Sequence, residues 1–312
     1  MSQVVVVTGA SSGIGLAAAR AFARQGARLV LAARSAVSLS AAGELCTADG
    51  AEVLVVPTDV AHAAEVDDLL AAAEWRFGRV DVVVHAAAVL AYGRFEDVPV
   101  DVFDRVIAVN LQGTANVGRS SLRQFRGQGG GTLIVVGSLL GRIATPYLSG
   151  YVASKWAVHG LTRSWQIETR RDPGVEVALV WPGSVNTPAY SQAANYAGRV
   201  GRPPPPVAPP EKVARRIAQL ADRPRRSASV GVANRLTLFG FQWLPMVFDL
   251  LVTPLMETAA LSHEAIGPHS GNVLTPHPEG NGAYGNRGRP RQITGRTLAA
   301  AAVGAGRKLL RR

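Results

Sequence analysis

"VVVVTGASSGIG", residues 4–15, decides how this 312-residue chain begins to fold. Four valines and a threonine in succession favour an extended strand covered on both faces. Glycines at 9, 13 and 15 then permit a tight turn into a helix. A turn of this kind lets backbone N–H groups at the helix N-terminus approach a pyrophosphate. A glycine-rich turn is a weak signal by itself. Its place after the first strand and before a helix is the context that gives it meaning.

Further along, short runs rich in Val and Ile recur at 27–34, 51–59, 80–88, 131–138, 175–183 and 227–232. Helical patterns separate them at about 14–25, 63–77, 100–126, 151–171 and 210–222. Strand alternating with helix predicts an α/β fold, a doubly wound parallel sheet of about seven strands with helices on both faces. This catalytic unit is expected to span residues 1–235, with a Pro-rich surface loop at 201–211.

Past residue 235 the alternation stops. Residues 236–267 read as an apolar C-terminal extension: a pocket cover, a subunit contact or a segment lying on a membrane surface. The longest uncharged run, Leu236 to Phe248, is shorter than the ~20 residues a bilayer span requires. Residues 268–312, rich in Gly, Pro and Arg, are expected to be a mobile basic tail.

Most of the formal charge of +11 belongs to that tail. From Gly280 onward there are eight basic residues and no acidic one, leaving 25 basic against 22 acidic residues elsewhere. Basicity confined to one end lacks the interleaved reading groups of a nucleic-acid surface. It leaves room for weak peripheral contact with anionic lipid. Cys46 is the single cysteine, so no intrachain disulfide is available. With no signal-peptide pattern before the first strand, a cytoplasmic location is expected.

Tyr151 and Lys155 in "YVASK" lie four residues apart and therefore share a helix face. Tyrosine holds a donatable proton near pH 7, and a neighbouring ammonium favours its phenolate, bringing the group toward working pH. "TGASSGIG", Asn110 in "VNLQG", Ser138 in "VVGSLLG", "YVASK" and "WPGSVNTP" at 181–188 together resemble the short-chain dehydrogenase/reductase family. The resemblance covers about residues 3–235.

It implies hydride transfer between a nicotinamide cofactor and a carbonyl or alcohol. Tyr151 would be the acid/base, Ser138 would hold the substrate oxygen, Lys155 would tune Tyr151 and bind the nicotinamide ribose, and Asn110 would position a water. Cofactor contacts are implied at Gly9, Ser11, Ser12, Gly13, Ile14, Gly15, Asp59, Val60, Ala87, Asn110, Tyr151, Lys155, Pro182, Gly183, Val185 and Thr187. Arg34, at the end of the second strand where a carboxylate would favour NAD(H), implies a preference for NADP(H). No metal is expected, and a homo-oligomer is implied.

One element departs from the family pattern. "HAAA", His85 to Ala88, stands where Asn-Asn-Ala-Gly is usual, so a strained backbone at Ala88 would weaken the cofactor pocket. His85 reads best as a structural histidine. Segments 90–95, 139–147 and 188–206, with Tyr92, Tyr147, Tyr190 and Tyr196, are expected to face a small-molecule substrate, a hydrophobic one. The competing reading is a catalytically silent NADP-binding sensor or a membrane-associated scaffold. The joint presence of Ser138, Tyr151 and Lys155 argues against it.

Overall fold

The computed structural model describes residues 2–285. Seven strands form one parallel sheet: β1 (Val4–Thr8), β2 (Arg28–Ala33), β3 (Val53–Pro57), β4 (Val82–His85), β5 (Gly131–Val136), β6 (Val175–Pro182) and β7 (Ser227–Val230). Their order is β7-β6-β5-β4-β1-β2-β3, and every pairing in this sheet is parallel. The expected doubly wound fold is therefore present.

Alternation along β1 shows why its valines are continuous. Val5 and Val7 enter one core layer with α1 (Gly13–Ala23), α2 (Ala36–Ala48) and α7 (Pro210–Asp222). Val4 and Val6 enter the opposite layer with α3 (Ala63–Phe77), α4 (Val100–Ile107), α5 (Gly113–Gln128) and α6 (Ser149–Glu168). A strand packed on both faces has no polar side, and each fully buried valine contributes roughly 1.5–3 kcal/mol.

The structure differs from the sequence reading in three places. Helix α2 was not anticipated, because it packs through small residues, Ser38, Ala42, Gly43 and Cys46, with Leu39 as its one large apolar contact. The helix expected over 100–126 is interrupted by a π-helical turn, Ala108–Gln112. There the Asn110 carbonyl accepts from Thr114 Oγ1 at 2.5 Å, and the register shifts between α4 and α5.

The third difference is the largest. Residues 268–285, assigned by composition to a mobile tail, are laid across the molecule and hydrogen-bonded to it. Val273 is fully buried among residues of the second core layer. Gly, Pro and Asn there serve turns rather than disorder. The rest of the tail expectation, including the basic end beyond residue 286, lies outside the described residues.

The apolar extension forms α8 (Asn234–Trp243) and α9 (Pro245–Leu255), then a strand, Leu261–Ala265, that pairs antiparallel with Arg199–Gly201. Phe241 makes edge contacts with Trp156 of α6 and Phe248 of α9, which ties the helix pair to the body.

Candidate active site

Strands β1 and β4 are neighbours, although β2 and β3 were wound outward from β1. A crevice opens beyond the carboxyl ends of strands at such a reversal, and ligands of doubly wound sheets bind there. A cavity of about 750 Å³ occupies this place. It runs from the turn after β1, past Arg34, Asp59 and Val60, to Ser138 and Tyr151, and onward to α8 and α9.

At one end the chain folds back so closely that side chains are excluded. Gly9 has φ +68°, and a Cβ there would lie 2.7 Å from the Ala87 nitrogen. The backbone amide of Ile14 has no partner among the described residues and remains available to an anion at the start of α1. The other expected cofactor residues, Ser11, Ser12, Gly13, Gly15, Arg34, Asp59, Val60, Ala87, Pro182, Gly183, Val185 and Thr187, all line the cavity with it.

Arg34 is engaged by the chain itself. Its guanidinium donates to the carbonyls of Asn272 (2.5 Å) and Val273 (3.1 Å), and burial holds its pKa below the ordinary arginine value. Burial alone would raise the Asp59 carboxyl. Hydrogen bonds from Arg105 and the Ala61 amide, with the charges of Arg105 and Arg34, bring it below its usual range instead.

Deeper in, α6 carries Tyr151 and Lys155 one turn apart, and Ser138 stands at the end of the β5 loop. The Tyr151 hydroxyl meets that of Ser138, whose Oγ also accepts from the Leu140 amide at 3.1 Å. Burial pushes the Tyr151 phenol well above its usual pKa, the neighbouring Tyr190 adds to this, and the bond to Ser138 opposes it. Burial lowers Lys155 to about 8. Its Nζ donates to the Val136 carbonyl at 3.0 Å and lies 5.7 Å from the Tyr151 ring centre.

Asn110 does not line the cavity. Its side chain accepts from the Val89 amide and donates to the Val89 carbonyl and to Ser154 Oγ, at 2.9–3.0 Å. With its amide fully used, it clamps the loop after β4 to the helix carrying Tyr151.

The "HAAA" departure is accommodated. His85 is buried and its two ring nitrogens meet the hydroxyls of Thr8 (2.8 Å) and Thr114 (2.9 Å), so it joins β1, β4 and α5. Among the described residues the only non-glycine with positive φ is Tyr147, so Ala88 carries no left-handed strain. Burial, with the nearby Lys155 charge, lowers His85 to about 3. Between pH 6.5 and 3 the unfolded chain then holds a proton on this histidine that the folded one does not. Stability consequently rises with pH through that window and is lost on acidification. Urea unfolding between pH 6.5 and 4 should show about 1.4 kcal/mol per pH unit from His85 alone. His159, lowered to about 4 chiefly by burial, adds to the slope. His85→Asn should flatten its share, and an unchanged slope would contradict this assignment.

Of the four tyrosines expected at the substrate, Tyr92 and Tyr190 line the cavity. Tyr147 instead donates to Glu257 at 2.8 Å and ties the loop before α6 to the extension. Gln192 of the expected segment 188–206 lines the cavity too, and sequence reasoning missed three further lining residues, Asn272, His277 and Asn281. These three sit in a stretch whose Gly- and Pro-rich composition concealed any periodic signal.

Comparison with known proteins accords with this geometry. Over 315 aligned residues, 97% of this chain and 88% of the other, the chain is 32% identical to an uncharacterised oxidoreductase, YxnA, of Bacillus subtilis. It is 36% identical to a D-beta-hydroxybutyrate dehydrogenase of Rhizobium meliloti over 190 residues, 60% of this chain and 73% of that one. Among solved structures, an alcohol dehydrogenase of Thermococcus sibiricus complexed with 5-hydroxy-NADP matches 74% of this chain and 96% of its own, at 33% identity and a TM-score of 0.64. A short chain dehydrogenase/reductase of Burkholderia phymatum in complex with NAD matches 79% and 95%, at 26% identity and a TM-score of 0.70. The profile described as short chain dehydrogenase matches residues 3–196, more than half of the sequence, and the chain belongs to that family of oxidoreductases.

Proposed function

We propose that the chain interconverts a hydrophobic carbonyl compound and its alcohol with NADP(H) as cofactor. The observation that carries this reading is one continuous cavity joining the glycine turn and Arg34 to Ser138, Tyr151 and Lys155. The excluded side chains at Gly9 and the free Ile14 amide suit a dinucleotide pyrophosphate, and Arg34 suits a 2′-phosphate. A bound nicotinamide cofactor would supply or accept the hydride. The chain's own residues do the rest.

Ser138 offers a hydroxyl to the substrate oxygen, and Tyr151 gives that oxygen its proton. Burial keeps the phenol protonated until it is needed, which suits a donor. Lys155, charged below its pKa of about 8, favours the phenolate once the proton has left. Asn110 positions α6 and acts through it. The outer cavity is apolar: Ile143, Leu148, Leu236, Phe239, Val247 and Leu251 are among its lining. That lining selects an uncharged, largely hydrocarbon substrate.

The test is absorbance of NADPH and of NADH with a panel of hydrophobic aldehydes and ketones. NADPH should be consumed faster than NADH, and Tyr151→Phe should lower the activity by at least about 100-fold. Binding of NADPH with no turnover on any carbonyl would favour a silent cofactor-binding protein.

The helix pair also favours a peripheral role. None of the 11 residues of α9 is buried, and Leu236, Trp243 and Met246 are 75%, 71% and 86% exposed. No helix among the described residues is long and apolar enough to cross a membrane. An apolar rim in a chain whose sequence from residue 286 onward is basic and acid-free fits an anionic lipid surface. The protein should sediment with phosphatidylserine vesicles at low salt and be released at high salt, through residues 286–312. Equal binding without those residues would remove the basic end from this reading.

A further inference from the structure

Residues 268–285 occupy a position that composition did not foreshadow. After the strand Leu261–Ala265 the chain returns to the carboxyl edge of the sheet and crosses the mouth of the crevice. It is fastened on three sides. At the turn after β1, the Gly13 amide donates to the Gly282 carbonyl at 2.8 Å. At the end of β2, Arg34 donates to the carbonyls of Asn272 and Val273. In the segment after β6, the Asn272 amide donates to the Gln192 carbonyl at 2.8 Å and the Gly285 amide to that of Asn186 at 3.3 Å. The Gln192 side chain reaches the Asn281 side chain at 2.9 Å and the His277 carbonyl at 3.2 Å.

We propose that Pro268–Gly285 is a strap that forms the outer wall of the dinucleotide site and governs how fast the cofactor enters and leaves. The proposal rests on the dinucleotide reading above. Each fastening point belongs to a wall of the groove, so the strap spans the groove from β2 to the loop after β6.

It closes the site without filling it. A cavity of about 750 Å³ remains beneath it, within the ~300–1,000 Å³ common for ligand pockets. Asn272, His277 and Asn281 are among the residues that line that cavity. The strap takes the Gly13 amide and leaves that of Ile14 free. Arg34 gives two of its five N–H groups to the strap and keeps three for a ligand.

The strap is also built to open. Val273 is its one buried large apolar anchor, and the other fastenings are hydrogen bonds, among them those of Arg34, the His269–Asn195 bridge and that from the Tyr284 hydroxyl to Glu211 of α7. Elements with few buried apolar contacts sit at the low-stability end of a fold, and lids are drawn from there.

Stopped-flow NADPH fluorescence on the full chain and on Gly271→Val tests the idea. Gly271 has φ +49°, and a Cβ there would lie 2.3 Å from the Gln192 carbonyl oxygen and 2.5 Å from that of Ala193. The substitution therefore lifts the strap without touching the glycine turn or the tyrosine. Dissociation of NADPH should accelerate roughly tenfold or more, with association also faster but by less, so that binding weakens. Unchanged rates would overturn the strap. Tighter binding in the variant would overturn it too, because the segment would then be competing with the cofactor. Failure of the unaltered chain to bind NADPH at all would instead remove the dinucleotide reading beneath it. If Gly271→Val does not fold, hydrogen exchange on the unaltered chain decides. NADPH should slow exchange across residues 268–285, and no slowing there, with NADPH bound, would refute the proposal.

Discussion

Tyr151→Phe is expected to lower kcat for carbonyl reduction by about 10²- to 10⁴-fold, or ~3–5 kcal/mol of transition-state stabilisation. The substitution removes one oxygen and leaves the ring, so packing at the centre of the site is conserved. What disappears is the proton donor and its bond to Ser138. NADPH affinity should stay within about threefold of the parent, because neither the glycine turn nor Arg34 is altered. The two results together separate a chemical role from a structural one. A variant with the parent's kcat would exclude Tyr151 as the donor, whatever the family pattern implies. The pH profile carries a second signature. Lys155, lowered to about 8 by burial, keeps its ammonium below that pH and loses it above, so reduction should decline on the alkaline side. Lys155→Met should lose that limb and be slow throughout.

The sheet was legible in the sequence because its central strands are buried on both faces and its edge strands keep the same short apolar runs. Continuous runs such as Val4 to Val7 admit few other readings, and all seven strands were located. The site residues were legible for a different reason. Turn glycines, a Tyr-Lys pair on one helix face and a serine after a strand are local patterns, and the fold brings their ends together.

Three features were hidden, each with its own cause. Helix α2 packs through Ser38, Ala42, Gly43 and Cys46, so its buried face has no contrast with its exposed one. Asn110 belongs to a recognisable motif, but its side-chain partners, Val89 and Ser154, are 21 and 44 residues away and follow from the π-helical turn. The segment 268–285 is held mainly by backbone carbonyls and amides. Such bonds depend on where the chain runs and leave no trace in residue type.

Gly15→Ala should do more damage than its single methyl group suggests. A Cβ at this position would lie 2.1 Å from the Gly9 carbonyl oxygen and 2.7 Å from its carbon, both backbone atoms of the same turn. No side chain is available to rotate aside. Gly9 has no room to retreat either, since it lies against the backbone of Ala86 and Ala87 in the loop after β4. Relief therefore requires the turn to open, which moves the Ile14 amide from its place at the start of α1. Overpacking of this kind costs about 2–3 kcal/mol of stability or more. NADPH affinity should fall by at least about 100-fold, since ~2.7 kcal/mol of lost binding suffices for that. Gly160→Ala is the control. It lies within α6 with nothing inside 4 Å of the added carbon, so it should be neutral or stabilising by up to about 1 kcal/mol. Thermal melting and NADPH fluorescence titration of both variants measure the contrast. If Gly15→Ala binds NADPH as the parent does, the close approach of turn and helix is not what holds the cofactor. The anion site would then have to be sought along the strap and Arg34 rather than at the N-terminus of α1.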